Sequence, residues 1–79
     1  MAEVQAGMTL DATGLACPLP IIRVKHAIKQ LAVGAILEVW TTDPGSLTDV
    51  PAWVQAQGHE LVQKEDQAPP FKFWIRRVH

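Results

Sequence analysis

Two prolines at alternate positions, Pro18 and Pro20, stand directly before a run whose apolar residues repeat every three or four positions. Proline is accepted in the first turn of a helix, where its missing N–H would have no partner within the helix. The repeat is that of a helix with one buried side. Its apolar members are Ile21, Val24, Ala27, Ile28 and Leu31. The prolines therefore predict where a helix starts, and the repeat predicts that it runs to about Leu31 or Ala32.

The only cysteine of the chain, Cys17, comes directly before these prolines. We predict that it is the N-cap of the helix, with Pro18, Leu19 and Pro20 as the first three helical residues. Helix N-termini favour anions, and cysteine pKa values fall below about 8.5 there. Because Pro20 has no N–H, the N–H of Leu19 is the predicted hydrogen-bond donor to the sulfur. Gly14 is expected to shape the turn that presents this reactive, rigidly held thiol.

The stretch Gly14-Leu15-Ala16-Cys17-Pro18-Leu19-Pro20 resembles the cysteine motif of the TusA/SirA-type sulfur-carrier family. Two later stretches also fit the family pattern: Asp43-Pro44-Gly45-Ser46 followed by Asp49-Val50-Pro51, and Gly58-His59-Glu60-Leu61-Val62. The resemblance extends over nearly the whole chain. It implies that Cys17 carries sulfur as a persulfide between partner proteins, and that Lys25 stands where the family usually has a basic residue.

The resemblance also implies which proteins this chain works with. The sulfur donor would be a cysteine desulfurase or a rhodanese-type protein, and the acceptor a TusD/DsrE-like protein. The implied pathways are tRNA 2-thiouridine synthesis, sulfur oxidation and molybdenum-cofactor assembly, and the sequence does not choose among them. We expect no cofactor, no metal, no membrane partner and no direct contact with nucleic acid.

Length and composition predict one small domain covering residues 1–79. Of these 79 residues, 48% are hydrophobic, which is enough for a single core. A lone cysteine excludes an intramolecular disulfide and a metal site built from several thiolates. The chain has no apolar run approaching about 18 residues and no signal peptide, so a soluble, cytoplasmic protein is expected. The net charge of -1 gives no general reason to bind nucleic acid.

The remaining pattern predicts the element order β-α-β-α-β-β. Strands are expected at 8–12, 35–42, 60–65 and 71–78. The second helix is expected to end at Gly58 and to be capped by Ser46 or by Asp49. Right-handed crossovers place both helices on one face of a mixed four-stranded sheet. The predicted fold class is therefore α/β (α+β), a two-layer sandwich whose other sheet face carries Trp40 and Trp74.

Whether the thiol belongs to a self-contained enzyme stays open. A cysteine nucleophile needs a base within hydrogen-bond reach. His26 lies nine residues along the same helix, or about 13 Å away at a rise of ~1.5 Å per residue. His59 and His79 are distant in sequence, and no second cysteine exists for a dithiol mechanism. A lone activated thiol suits the carriage of a sulfur atom between proteins.

The residues beside the motif allow two interpretations each. Leu19 and Ile22 lie next to the buried stripe of the first helix, where they belong to the core or form an apolar rim around the thiol. Lys25 is a solvated charge or a group that steers an acidic partner towards the thiol. Trp40 and Trp74 cover the open sheet face or mark a surface for self-association or a partner.

Two other classes of function remain as alternatives. One is a regulatory or protein-binding module in which Cys17 is only a structural cap. The other is a small RNA-binding domain, because the same element order also occurs in RNA-binding proteins. Two features disfavour RNA binding: the net charge is only -1, and the chain has no clustered basic stripe. Its only local basic group is formed by Lys72, Arg76 and Arg77.

Overall fold

The six predicted elements are present in a computed structural model that describes residues 6–79. The strands are β1 (Met8–Ala12), β2 (Ile36–Thr41), β3 (Glu60–Glu65) and β4 (Phe71–Arg76). The helices are α1 (Leu19–Ile28) and α2 (Ser46–Ala56). Their order along the chain is β1-α1-β2-α2-β3-β4, which confirms the prediction, although β2, β4 and both helices are shorter than expected.

The four strands form one mixed sheet in the order β1-β2-β4-β3. β1 and β2 are parallel, whereas β2 pairs with β4, and β4 with β3, in antiparallel fashion. Parallel neighbours need a long crossover connection, and α1 supplies it. Side chains from both helices pack into one core with the same face of the sheet. The predicted two-layer fold class is confirmed.

The core lies between the helices and alternate residues of the two central strands. Leu37 and Val39 of β2 and Phe73 and Ile75 of β4 are completely buried, as are Val24 of α1 and Val50 of α2. Full burial of an aliphatic or phenyl side chain contributes roughly 1.5–3 kcal/mol. The period of two in the strands and the one-sided repeat in α1 therefore identified the buried faces correctly.

α1 ends at Ile28, several residues before the predicted end at Leu31 or Ala32. After Ile28 the hydrogen bonds span three residues instead of four: the N–H of Leu31 donates to the carbonyl oxygen of Ile28 at 3.2 Å. Carbonyl groups at a helix end need partners from elsewhere. Arg77 supplies them, since its Nη1 donates to the carbonyl oxygens of Lys29 at 3.2 Å and Leu31 at 2.5 Å. A residue beyond the last strand thus ties down the turn that follows the first helix.

Trp40 and Trp74 lie on the sheet face opposite the helices, as expected. Both indole N–H groups donate to the carboxylate of Glu38, and the bond from Trp74 Nε1 to Oε1 measures 3.0 Å. The ammonium nitrogen of Lys72 lies 4.8 Å from the centre of the Trp40 ring, within the range of a cation–π interaction. One shared carboxylate and one cation therefore hold the two indoles over this face.

His59 connects the end of α2 to the segment that follows β4. Its Nδ1 accepts a hydrogen bond from the N–H of Val78 at 3.1 Å. Its ring stacks on that of His79, with the ring centres 4.7 Å apart. The imidazole must be unprotonated at Nδ1 to accept this bond. The hydrogen bond from Val78 therefore requires neutral His59.

We expect the free energy of unfolding to decrease as the solution is acidified. Burial, and then the charges of His79 and Arg77, lower the pKa of His59 in the folded protein. Protonation therefore favours the unfolded chain, and the contribution of His59 is complete above about pH 6.5 and is lost as the pH falls through the lower folded value. Urea midpoints measured from about pH 7 to about pH 5 test this expectation. His59→Gln should weaken the dependence and His26→Gln should keep it; equal dependence in both variants would contradict it.

Candidate functional site

The candidate site lies where two neighbouring parallel strands end. Because β1 and β2 run side by side in the same direction, the chain that follows β1 meets the chain that follows β2. We call residues 13–18 the thiol loop. The N–H of Gly14 donates to Thr42 Oγ1 at 2.8 Å, and the N–H of Cys17 donates to Asp43 Oδ2 at 3.0 Å. Two residues from the opposite connection therefore hold the thiol loop.

Gly14 has the backbone role expected from the sequence. Its φ angle is +80°, in the left-handed region that costs other residues roughly 1–2 kcal/mol. A Cβ atom at this position would meet no atom within 4 Å. The requirement for glycine is therefore conformational rather than steric.

The predicted start of α1 needs a correction at the cysteine. The helix begins at Leu19 with Pro18 as its N-cap, so Cys17 lies one residue before the cap, to which a cis peptide bond joins it. The N–H of Leu19 donates to the carbonyl oxygen of Ala16 at 2.9 Å and is not the predicted donor to the sulfur. Pro20 stands in the first turn, as predicted, and its side chain is fully buried.

The thiol has a carboxylate partner that the sequence did not suggest. Cys17 is exposed, and its Sγ donates to Asp49 Oδ2 at 2.7 Å. Asp49 lies in the first turn of α2, but Gly45 is the N-cap there and no side chain caps the helix, so both predicted caps are wrong. Ser46 is instead the first helical residue, and its hydroxyl donates to the carbonyl oxygen of Asp43 at 2.6 Å. This arrangement leaves the Asp49 carboxylate free to face the sulfur.

The electrostatics of the thiol are the reverse of those predicted. The hydrogen bond to Asp49 raises the pKa of Cys17 above its ordinary value, with smaller contributions from burial and from the charges of Asp49 and Asp43. A helix N-terminus lowers a thiol pKa when its N–H groups face the sulfur. Here the N–H of Leu19 is bonded to Ala16, and the sulfur faces the carboxylate of Asp49 instead. The unloaded cysteine is a protonated thiol at neutral pH.

The two apolar residues beside the motif are not part of the core. Leu19 is 47% exposed and Ile22 is 45% exposed, both in the first two turns of α1. The core interpretation is therefore wrong for both. Lys25 follows Leu19 by six residues, which is about 9 Å along the helix axis. It lines a groove of about 210 Å³ together with Trp53 and His59, and Cys17 does not line that groove.

Sequence reasoning did not identify three residues of the site. It gave neither Thr42 nor Asp43 a role in holding the thiol loop, and it considered Asp49 only as a helix cap. For Thr42 and Asp43 a signal existed, because a right-handed β-α-β unit makes two strands parallel and brings their carboxyl ends to one edge. Asp49 had no such signal. Its contact with Cys17 spans 32 positions and depends on how α2 packs against α1.

The thiol of Cys17 and the backbone N–H of the same residue both donate to carboxylates. Within residues 6–79, histidine, cysteine and acidic side chains form no group of three or more that could hold a metal ion. The same part of the chain contains no helix that is both long and apolar enough to span a membrane.

Comparison with known proteins finds sequence similarity over nearly the whole chain. The family model described as sulfurtransferase TusA matches residues 8–77. YrkI of Bacillus subtilis is 45% identical over 74 residues, which are 94% of this chain and 99% of that protein. The sulfur carrier protein TusA of Pseudomonas putida strain GB-1 is 39% identical over 77 residues, or 98% of this chain and 96% of that one.

A solved structure also shares the fold. The crystal structure of a SirA-like protein from Desulfitobacterium hafniense matches with a TM-score of 0.77. The match covers 91% of this chain and 99% of that chain at 23% sequence identity. At that identity the likeness supports the arrangement of helices and strands.

Proposed function

Because this chain belongs to the TusA family of sulfurtransferases, we propose that it accepts sulfur as a persulfide on Cys17 and delivers it to an acceptor protein. The observation that carries this proposal is the exposed thiol of the only cysteine, placed on a loop that Thr42 and Asp43 fix. A structural cysteine would be buried among apolar side chains. A dithiol mechanism would need a second cysteine, which the sequence lacks.

The proposed loading step is a thiol–persulfide exchange. Cys17 gives up its proton, and its sulfur attacks the terminal sulfur of a persulfide on the donor. A new S–S bond forms on Cys17 while the S–S bond of the donor breaks, and the donor cysteine leaves as a thiolate that takes up a proton. No net oxidant or reductant is needed. In delivery, a thiol of the acceptor attacks the outer sulfur on Cys17, and Cys17 leaves as the thiolate.

The proposed partners follow from this chemistry and from the family. We assign the donor role to a cysteine desulfurase or a rhodanese-type protein and the acceptor role to a TusD/DsrE-like protein, in the cytoplasm. The pathways that fit are tRNA 2-thiouridine synthesis, sulfur oxidation and molybdenum-cofactor assembly. Leu19 and Ile22 support a protein partner, since they expose apolar surface near the thiol loop. Lys25 is proposed to contribute to docking from the side of α1.

Intact-mass spectrometry tests the proposal. The purified protein is incubated with a cysteine desulfurase and cysteine and, separately, with a rhodanese and thiosulfate. We expect the mass of one sulfur atom to be gained with at least one donor and to be removed by dithiothreitol. Peptide mapping should place the added atom on Cys17. An unmodified protein with both donors would overturn the proposal and favour the alternative of a binding module.

A further inference from the structure

The hydrogen bond between Cys17 and Asp49 is available to only one of the two states of the proposed carrier. The unloaded thiol has a hydrogen to donate, and Asp49 Oδ2 accepts it at 2.7 Å. A persulfide is a stronger acid than a thiol and is an anion at neutral pH. An ionised carboxylate is an acceptor only. The loaded state therefore loses the hydrogen bond and places two negative groups side by side.

The other charged groups around the thiol loop do not cancel this effect. From the connection between β2 and α2, Asp43 brings a second carboxylate to the N–H of Cys17 at 3.0 Å. At the end of β1, the carboxylate of Asp11 is bonded to the N–H and hydroxyl of Thr13. On α1 the first basic residue is Arg23, the fifth residue of the helix. Acidic groups thus outnumber basic ones at the thiol.

We infer that Asp49 biases the loading equilibrium of Cys17 towards the unloaded state, because it stabilises the thiol and destabilises the persulfide anion. The inference rests on the proposed function and adds to it a residue that touches the reacting sulfur. A carrier so biased releases sulfur to an acceptor more readily than it retains it. The raised pKa of the Cys17 thiol agrees with the same geometry.

The size of the effect follows from the charge. A nearby like charge disfavours an anion, and the exposure of this site keeps the effect modest, because solvent screens the two charges. Asp49→Asn removes the charge and keeps an amide oxygen that can accept the thiol hydrogen. We expect the equilibrium constant for loading to rise by up to about tenfold at neutral pH. The midpoint of thiol alkylation against pH should fall as well, because the carboxylate no longer opposes the thiolate.

The experiment uses glutathione persulfide as a small donor, so that docking to a protein plays no part. Each variant is equilibrated with fixed ratios of glutathione persulfide to glutathione, and the loaded fraction is read by intact mass. The matched control is Asp66→Asn, which removes the charge of an aspartate that pairs with Lys64 at 3.4 Å. It should load as wild type does. Asp43→Asn should shift loading in the same direction by a smaller factor, and it tests the same idea if Asp49→Asn does not fold.

The outcomes separate the inference from the proposed function. If wild type never gains sulfur from the persulfide or from a protein donor, the carrier function itself is wrong. If wild type loads and neither Asp49→Asn nor Asp43→Asn loads more fully, the carrier function stands and the inference is overturned. Greater loading of Asp49→Asn with an unchanged Asp66→Asn supports it.

Discussion

We expect Cys17→Ser to abolish sulfur loading and to leave the urea midpoint of unfolding unchanged, which is the largest functional effect expected of any single substitution. A serine hydroxyl cannot form a persulfide, so no sulfur can be accepted. It can still donate to Asp49, as the thiol does at 2.7 Å, and the bond from the backbone N–H to Asp43 does not involve the side chain. Cys17 is exposed, so little packing is lost.

Two measurements on the same preparation check this result. Intact mass after incubation with desulfurase and cysteine should show no added sulfur, and urea unfolding should superimpose on that of wild type. Cys17→Ala is the control, because it removes both the nucleophile and the hydrogen bond to Asp49. It should also fail to load and should also fold. An unfolded Cys17→Ser protein would mean that the thiol is a packing residue.

Phe73→Ala is expected to have the largest effect on stability, lowering the free energy of unfolding by about 3–5 kcal/mol. The phenyl ring is completely buried at the centre of β4 and belongs to the core shared by both helices. Deleting it removes apolar burial and leaves a cavity that close-packed neighbours fill only in part. Small domains have total stabilities of roughly 5 kcal/mol or more, so much of this reserve is lost.

Urea or thermal unfolding followed by circular dichroism measures the loss. Ile22→Ala is the matched control, since it also deletes a large apolar side chain, but from a position that is 45% exposed. It should change the free energy of unfolding by no more than about 0.5 kcal/mol. Similar losses for the two variants would contradict the assignment of core and rim.

Much of the fold was present in local sequence patterns. The period of two in β4 separates Phe71, Phe73 and Ile75 from Lys72 and Trp74, and the structure buries the first set on the helix side. These patterns are reliable because the alternation of side chains along a strand, like the one-sided repeat of a helix, is fixed by backbone geometry. The ends of elements were less predictable: α1 ends at Ile28, and the turn after it is bonded to Arg77, nearly fifty positions away.

The same division applies to the site. The sequence by itself determined that Cys17 precedes a helix start, that Gly14 shapes its loop and that no second thiol is present. Only the tertiary structure decided the direction in which the pKa of the thiol is shifted. That decision depends on Asp43 and Asp49, which reach Cys17 across 26 and 32 positions of the chain. Contacts of this kind follow from the pairing of β1 with β2 and the packing of α2, which act together and leave no periodic trace in the sequence.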